Sequence, residues 1–169
     1  YVVASGGGDF GFWFGIAHAV TGTSTVARFE PLRLEVARAE FCREGESLAI
    51  GIDRTLCFFD PRKPSRDPEG TVTCRDILQH VALDSNGETA VVSYTSGGLD
   101  VYNTETGDRR SVPFELSKPC IPLISADGQI AAALVPKSQQ IHVWNAITGE
   151  ALQEIQGPSG KWLCGALHP

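Results

Sequence analysis

Short runs of alternating apolar and polar residues recur along the chain, and most end in a polar turn carrying a glycine. A period of two is the pattern of a half-buried β-strand. The clearest case is Val143-Trp144-Asn145-Ala146-Ile147-Thr148-Gly149, a strand end running into a tight turn whose glycine can take a positive φ. The same phrase stands at Val101-Tyr102-Asn103-Thr104-Glu105-Thr106-Gly107 and, more loosely, at Ile16-Ala17-His18-Ala19-Val20-Thr21-Gly22. Between them Phe58-Phe59-Asp60 takes the expected place, with Pro61-Arg62-Lys63-Pro64 in the turn. These anchors begin at positions 16, 58, 101 and 143, a recurrence of 42 or 43 residues.

A second signal keeps step with the first. Arg43-Glu44-Gly45-Glu46 aligns with Ser85-Asn86-Gly87-Glu88 and Ala126-Asp127-Gly128-Gln129, glycine matching glycine. Asn-Gly and Asp-Gly are strong hairpin signals because both turn positions need φ > 0. Each such turn opens an apolar run, Leu48 to Ile52, Thr89 to Tyr94 and Ile130 to Val135. A further turn leads to the anchor strand, and then comes a more polar strand such as Arg110 to Phe114 or Ala151 to Ile155. Leu34 to Cys42 reads as a first strand, with a helix over Leu34 to Arg38 as the alternative. Each unit is thus a meander of four strands that cannot cover both its faces alone. Stacking units face to face around an axis buries those surfaces, so the repeat predicts an all-β propeller of about four blades.

The expected organisation is a partial blade at 1–33 holding second to fourth strands, blades at 34–75, 76–117 and 118–160, and an innermost strand at 161–169. In the first unit Tyr1 to Ser5 and Phe10 to Ala19 read as strands around a Gly6-Gly7-Gly8-Asp9 turn, followed by Thr25 to Phe29. Residues 60–70 carry three prolines and read as a solvated loop inserted between third and fourth strands. Trp162 to Leu167 is placed to complete the sheet begun by Tyr1 to Ala4, which would remove two exposed strand edges. A larger ring, with its remaining blades on another stretch of polypeptide, is the preferred arrangement. With no Met and an opening on an apolar strand, the chain reads as a piece of something longer.

Charge and chemistry narrow the function. Net charge is −6 with a pI near 5.1, which disfavours direct nucleic-acid binding. No apolar run approaches the ~20 residues that span a bilayer, so no membrane contact is expected. Cys42, Cys57, Cys74, Cys120 and Cys164 lie far apart with no Cys-x-x-Cys pair, which fits isolated thiols in a reducing, cytoplasmic setting. His18, His80, His142 and His168 are scattered and lack a second ligand at metal spacing. Ser5-Gly6-Gly7-Gly8 has no phosphate-binding lysine after it, so it is a turn rather than a P-loop. Asp9, Asp53 and Asp84 stand at turns, where a carboxylate can bond the backbone two residues on. No catalytic residue, metal or cofactor is assigned.

The order of hairpin turn, apolar strand, strand ending in Val143-Trp144-Asn145, Thr148-Gly149 turn and last strand resembles the WD-repeat β-propeller family, best at residues 119–157. The family's Trp-Asp stands here as Trp144-Asn145, Tyr102-Asn103, Phe59-Asp60 and Ala17-His18, and its Gly-His pair before the innermost strand is absent. That absence implies loss of the buried hydrogen-bond network the pair anchors. The resemblance implies a non-catalytic interaction or scaffold module that presents loops on one face to a protein partner. A propeller hydrolase or oxidoreductase with a channel-facing site is the alternative, and a purely architectural clamp the second.

Counting 17 or 18 residues beyond each anchor gives Arg33, Arg75, Lys118 and Lys161, each in the loop before an innermost strand. On a propeller all four would face one end, forming an arc of cations for an acidic partner segment.

Overall fold

The computed structural model describes residues 2–8, 11–17, 24–29, 36–63, 67–116, 120–136, 138–157, 165 and 167, with side chains from residue 40 onward. Within these the strands form four separate antiparallel sheets. The first holds β1 (Val2–Gly8), β2 (Gly11–Ala17) and β3 (Ser24–Phe29). The second holds β4 (Val36–Cys42), β5 (Ser47–Ile52), β6 (Thr55–Phe59) and β7 (Gly70–Thr73). The third holds β8 (Leu78–Leu83), β9 (Thr89–Tyr94), β10 (Leu99–Asn103) and β11 (Arg109–Ser111). The fourth holds β12 (Ile121–Ile124), β13 (Ile130–Val135), β14 (Gln140–Asn145) and β15 (Ala151–Gln156). Every sheet is a meander in chain order, as the repeat predicts. Helix is confined, among the described residues, to a single 3-10 turn at Arg43–Gly45.

Alternation explains why the sheets must stack. In β9, Ala90, Val92 and Tyr94 join a core with Ala49, Leu56 and Val72 of the second sheet. Val91, one step out of phase, joins Ala131, Ala133 and Trp144 of the fourth. Successive side chains point to opposite faces, so a strand apolar at every position is buried from both sides. First strands meet where sheets adjoin: β8 packs on β4 and β5, and β12 on β8 and β9. Fourth strands lie outermost, and all six residues of β15 are exposed. This is the radial arrangement of a propeller segment.

The turns between first and second strands are linked across sheets. The Arg43 N–H donates to the Ser85 carbonyl at 2.6 Å, and the Ser85 N–H to the Ala126 carbonyl at 3.0 Å. These residues are equivalent in successive repeats, so the bonds tie equivalent turns together.

Three local expectations are corrected. Gly6, Gly7 and Gly8 are not a turn; they continue β1, paired with Trp13, Phe12 and Gly11. Ladder bonds are made by the backbone, so a run without side chains can still pair. The fourth strand of the third sheet ends at Ser111 rather than Phe114. Val112, Phe114 and Leu116 leave the ladder and cover the core around Trp144, which is what their alternation encodes, while Pro113 has no N–H to give a ladder. The 60–70 insertion is not wholly solvated, because Asp60 and Pro61 are buried at its start. The proposed closure of Trp162 to Leu167 onto Tyr1 to Ala4 lies largely outside the described residues.

Candidate functional site: the loop end of the third sheet

The anchor phrase does local work before it does any recognition. Asn103 Oδ1 accepts from the N–H groups of Glu105 and Thr106 at 3.0 and 2.8 Å, and Asn145 Oδ1 from Ile147 and Thr148 at 2.9 and 2.8 Å. Asp60 repeats the motif, accepting from the Arg62 N–H at 2.8 Å. A short side-chain acceptor after the aromatic residue is therefore a turn cap.

Asp60 goes further, because Arg62 Nε lies 2.9 Å and Lys63 Nζ 3.4 Å from its carboxylate. The side-chain bond from Arg62, then the backbone bond, hold its pKa down at about 2. A depressed folded-state pKa gives a contribution that is complete above the unfolded value near 4 and lost as pH falls toward 2. Melting temperature measured from pH 5 to pH 2 is expected to fall less steeply in Asp60→Asn than in the parent chain. Parallel curves would show that Arg62 and Lys63 do not hold this carboxylate.

In an antiparallel meander, turns between second and third strands share an end with the connections from fourth strands to the next first strand. At that end the Cys74 N–H donates to the Arg54 carbonyl at 2.8 Å, and the Thr95 N–H to the Ile77 carbonyl at 3.0 Å. Ser96 also gives its hydroxyl proton to Asp76, and that bond with the Ile77 N–H keeps the Asp76 pKa low. A cleft of about 530 Å³ opens here between Arg75, the Ser96–Gly98 turn and the Val112–Leu116 connection.

Arg75 is set in a closed circuit. Its Nε lies 3.0 Å from Asp100 Oδ2, and Tyr94 donates its hydroxyl to the same oxygen at 2.8 Å. With the Tyr94 proton so committed, Tyr102 donates to the Tyr94 oxygen at 3.1 Å. The Arg75 backbone N–H in turn donates to Tyr102 at 3.2 Å. The guanidinium also lies 4.7 Å from the centre of the Tyr94 ring, within cation–π range. Asp100 and both tyrosines are buried, while the Arg75 side chain keeps 45% of its exposure. Burial, with the Asp100 charge that accepts its proton, pushes Tyr94 far above an ordinary phenol, and burial raises Tyr102 as well, so both hydroxyls stay protonated. A buried polar network thus survives without the Gly-His pair, built from Arg75, Tyr94, Asp100 and Tyr102.

Of the four cations expected to form an arc, Arg75 lies at this loop end, and Arg33, Lys118 and Lys161 fall outside the described residues. Arg109 was not anticipated. It stands on β11, with Nη1 3.8 Å from the Asp100 oxygen that Arg75 holds. The sequence signal was the Arg109-Arg110 pair opposite Val101-Tyr102, legible once the β10–β11 register is known.

The other candidates take structural roles. His142 stacks on Phe114 with ring centres 4.7 Å apart, and its Nδ1 lies 3.6 Å from Glu154. Asp84 is buried and accepts from the Glu88 N–H, four residues on rather than two. Asp53 sits in a turn at φ +52°; Asp9, His18 and His168 are outside the described residues. Cys42, Cys57, Cys74 and Cys120 are buried free thiols, and burial raises all four, Cys74 to about 11 and Cys120 to about 12. They are poor nucleophiles and metal ligands in that state. Among the described residues no group of three His, Cys, Asp or Glu side chains is placed to hold a metal ion, and no helix is long and apolar enough to cross a membrane.

Solved structures share this architecture. The chain superposes on the WD40 domain of coronin from Toxoplasma gondii with a TM-score of 0.72 at 10% identity, covering 95% of this chain and 44% of that one. It also superposes on hydrazine synthase from Kuenenia stuttgartiensis, with a TM-score of 0.61 at 16% identity, covering 77% of this chain and 38% of that one. No family model matches the sequence, nor does any curated protein. The fold is that of a β-propeller segment, as in the WD40 domain on which the chain superposes, and the chain spans less than half the length of these two solved chains.

Proposed function

We propose that this propeller segment is a non-catalytic recognition module of a larger protein or assembly, binding a protein partner through the loop end that carries Arg75. The observation behind this reading is the cleft at that end, where a guanidinium held by a buried circuit remains open to solvent. A group fixed in place loses little conformational freedom on contact, which favours recognition. The four buried thiols fit a reducing compartment.

The larger ring belongs to the same proposal. Trp144 and Ala133 face the third sheet, so the alternate residues Ile141 and Val143 of β14 lie on the opposite face, where both are half-buried. Ile155, paired with Ile141, is 38% exposed. A further sheet would bury that apolar face as the second and fourth sheets bury the third.

A photo-crosslinking residue placed at Thr95, at the cleft end, is expected to capture a partner when the intact parent protein is used. The same residue at Glu105, at the opposite end, is expected to capture none. Equal capture from both positions, or none from either, removes the reading.

A further inference from the structure

The outer strand of the fourth sheet is built unlike its counterparts in the second and third. β11 spans three residues, carries Arg109 and Arg110 and is followed by Pro113, while β7 spans four residues. Short length, charge and proline are common means by which a sheet edge avoids pairing with another chain. β15 spans six residues, Ala151–Gln156, all exposed, with one charged side chain and no proline. It pairs only with β14, so the backbone N–H and C=O groups along its other side have no strand partner among the described residues. The register skips Leu152, where β15 carries one residue more than β14, and then runs evenly from Gln153 to Gln156. Leu152 is 49% exposed and lines a groove of about 270 Å³ with Pro113, Phe114 and His142. Glu154 lines the same groove, where it accepts from Gln140 Nε2 at 2.7 Å and lies 3.6 Å from His142 Nδ1, yet 57% of its side chain stays exposed. Neither the groove lining nor β15 carries a lysine or arginine. Arg110 of the third sheet donates instead to the Ile147 carbonyl at 2.6 Å, in the turn before β15.

From this geometry we infer that β15 is a docking edge for an extended segment of a protein partner. The segment adds a fifth strand to the fourth sheet, sets an apolar side chain in the groove beside Leu152 and brings a lysine or arginine to Glu154. The backbone of β15 names an extended occupant, because another strand is what supplies alternating donors and acceptors along such an edge. Side chains set the rest. Residues two apart on a strand share a face, and Leu152 and Glu154 line one groove, so the incoming strand needs its apolar and basic residues two apart. The one formal charge in the groove lining is the Glu154 carboxylate, and the chain carries −6 overall, so a basic segment is attracted both locally and at a distance. This edge is a different surface from the loop end that carries Arg75, and docking there goes beyond the recognition reading above.

The test uses the full chain and a fluorescein-labelled peptide, Ser-Thr-Leu-Thr-Lys-Thr-Ser, which places leucine and lysine on one face of a strand. One twin has glutamine for the lysine, and another has the backbone nitrogens of its five central residues methylated. Fluorescence anisotropy at 50 and 200 mM salt is expected to show binding of the lysine peptide that weakens with salt, several-fold weaker binding of the glutamine twin and none of the methylated one. Hydrogen exchange with the lysine peptide present is expected to slow across Ala151–Gln156 and to stay unchanged across Arg109–Ser111. Glu154→Lys is expected to weaken binding at least tenfold and Leu152→Ser several-fold; both positions are exposed, so the fold is kept. Failure of the lysine peptide to bind, equal binding of the methylated twin, unchanged exchange across β15 or indifference to both variants would each overturn the docking edge. Sedimentation showing a dimer that Leu152→Ser dissolves would give the edge to a second copy of the chain and overturn the partner segment. Cleft-end crosslinking at Thr95 without peptide binding at β15 would leave the recognition module standing and remove only this edge.

Discussion

Trp144→Ala is expected to cost about 3–5 kcal/mol of unfolding free energy, the usual range for truncating a large buried aromatic residue. Trp144 is fully buried on β14 among Val91, Leu99 and Val101 of the third sheet. Phe114 meets it edge-on at 5.0 Å, so truncation opens a cavity between two sheets rather than a dent in one. Its Nε1 is buried with no hydrogen-bond partner among the described residues. Trp144→Phe should therefore be much milder, about 1–2 kcal/mol, because it keeps most of the ring and deletes an unsatisfied donor. Urea unfolding of the two variants measures the difference. Equal losses would mean that the indole N–H is bonded and that the packing argument is incomplete.

Gly87→Ala and Gly128→Ala are expected to lose about 2–5 kcal/mol each, whereas Gly149→Ala should lose about 1–2. All three glycines have positive φ, +70°, +72° and +76°, so each substitution strains the backbone alike. Their surroundings differ. A Cβ on Gly87 would stand 2.7 Å from Cys42 Sγ and 3.2 Å from Cys42 Cβ, an atom that cannot swing aside. A Cβ on Gly128 would stand 2.7 Å from Asp84 Oδ2, while the other oxygen of that buried carboxylate is held by the Glu88 N–H. A Cβ on Gly149 would meet nothing within 4 Å. Thermal denaturation of the three variants should rank Gly149→Ala well above the others. A common shift would show that neighbouring sheets do not press on these turns.

Much of the fold was legible because its signals are local. Thr89 to Tyr94 and Ile130 to Val135 were expected as strands and are strands with those bounds, since both are apolar runs framed by turns. The Asp or Asn after each anchor aromatic announced a turn, and the carboxamide or carboxylate caps it. Where local signals were ambiguous the reading slipped. Val112, Phe114 and Leu116 alternate as a strand does, but their apolar positions answer to the Trp144 core, and no periodicity separates the two uses.

The candidate site was legible only in part. Arg75 could be singled out by its distance from an anchor, because repeats place equivalent loops at one end. What holds it could not, since Tyr94, Asp100 and Tyr102 are 19 to 27 residues further on and look like ordinary strand positions. Asp100 is the instructive one: in the strand Leu99–Asn103 it reads as an outward polar residue, yet it is 3% exposed. Arg109 joins it because β10 and β11 pair in one particular register.

Residue order alone settles where the backbone can extend and where it must reverse, because alternation, proline and turn glycines act within a few residues. It settles the repeat too, and with it the stacking, since identical sheets with two apolar faces have no other way to leave water. Which turn glycines sit beneath a neighbour, which polar residues close into a circuit and which two arginines share a carboxylate are decided only by assembly. Those contacts join residues from different strands or sheets, and their energies depend on separations of a few ångströms that arise when the sheets come together.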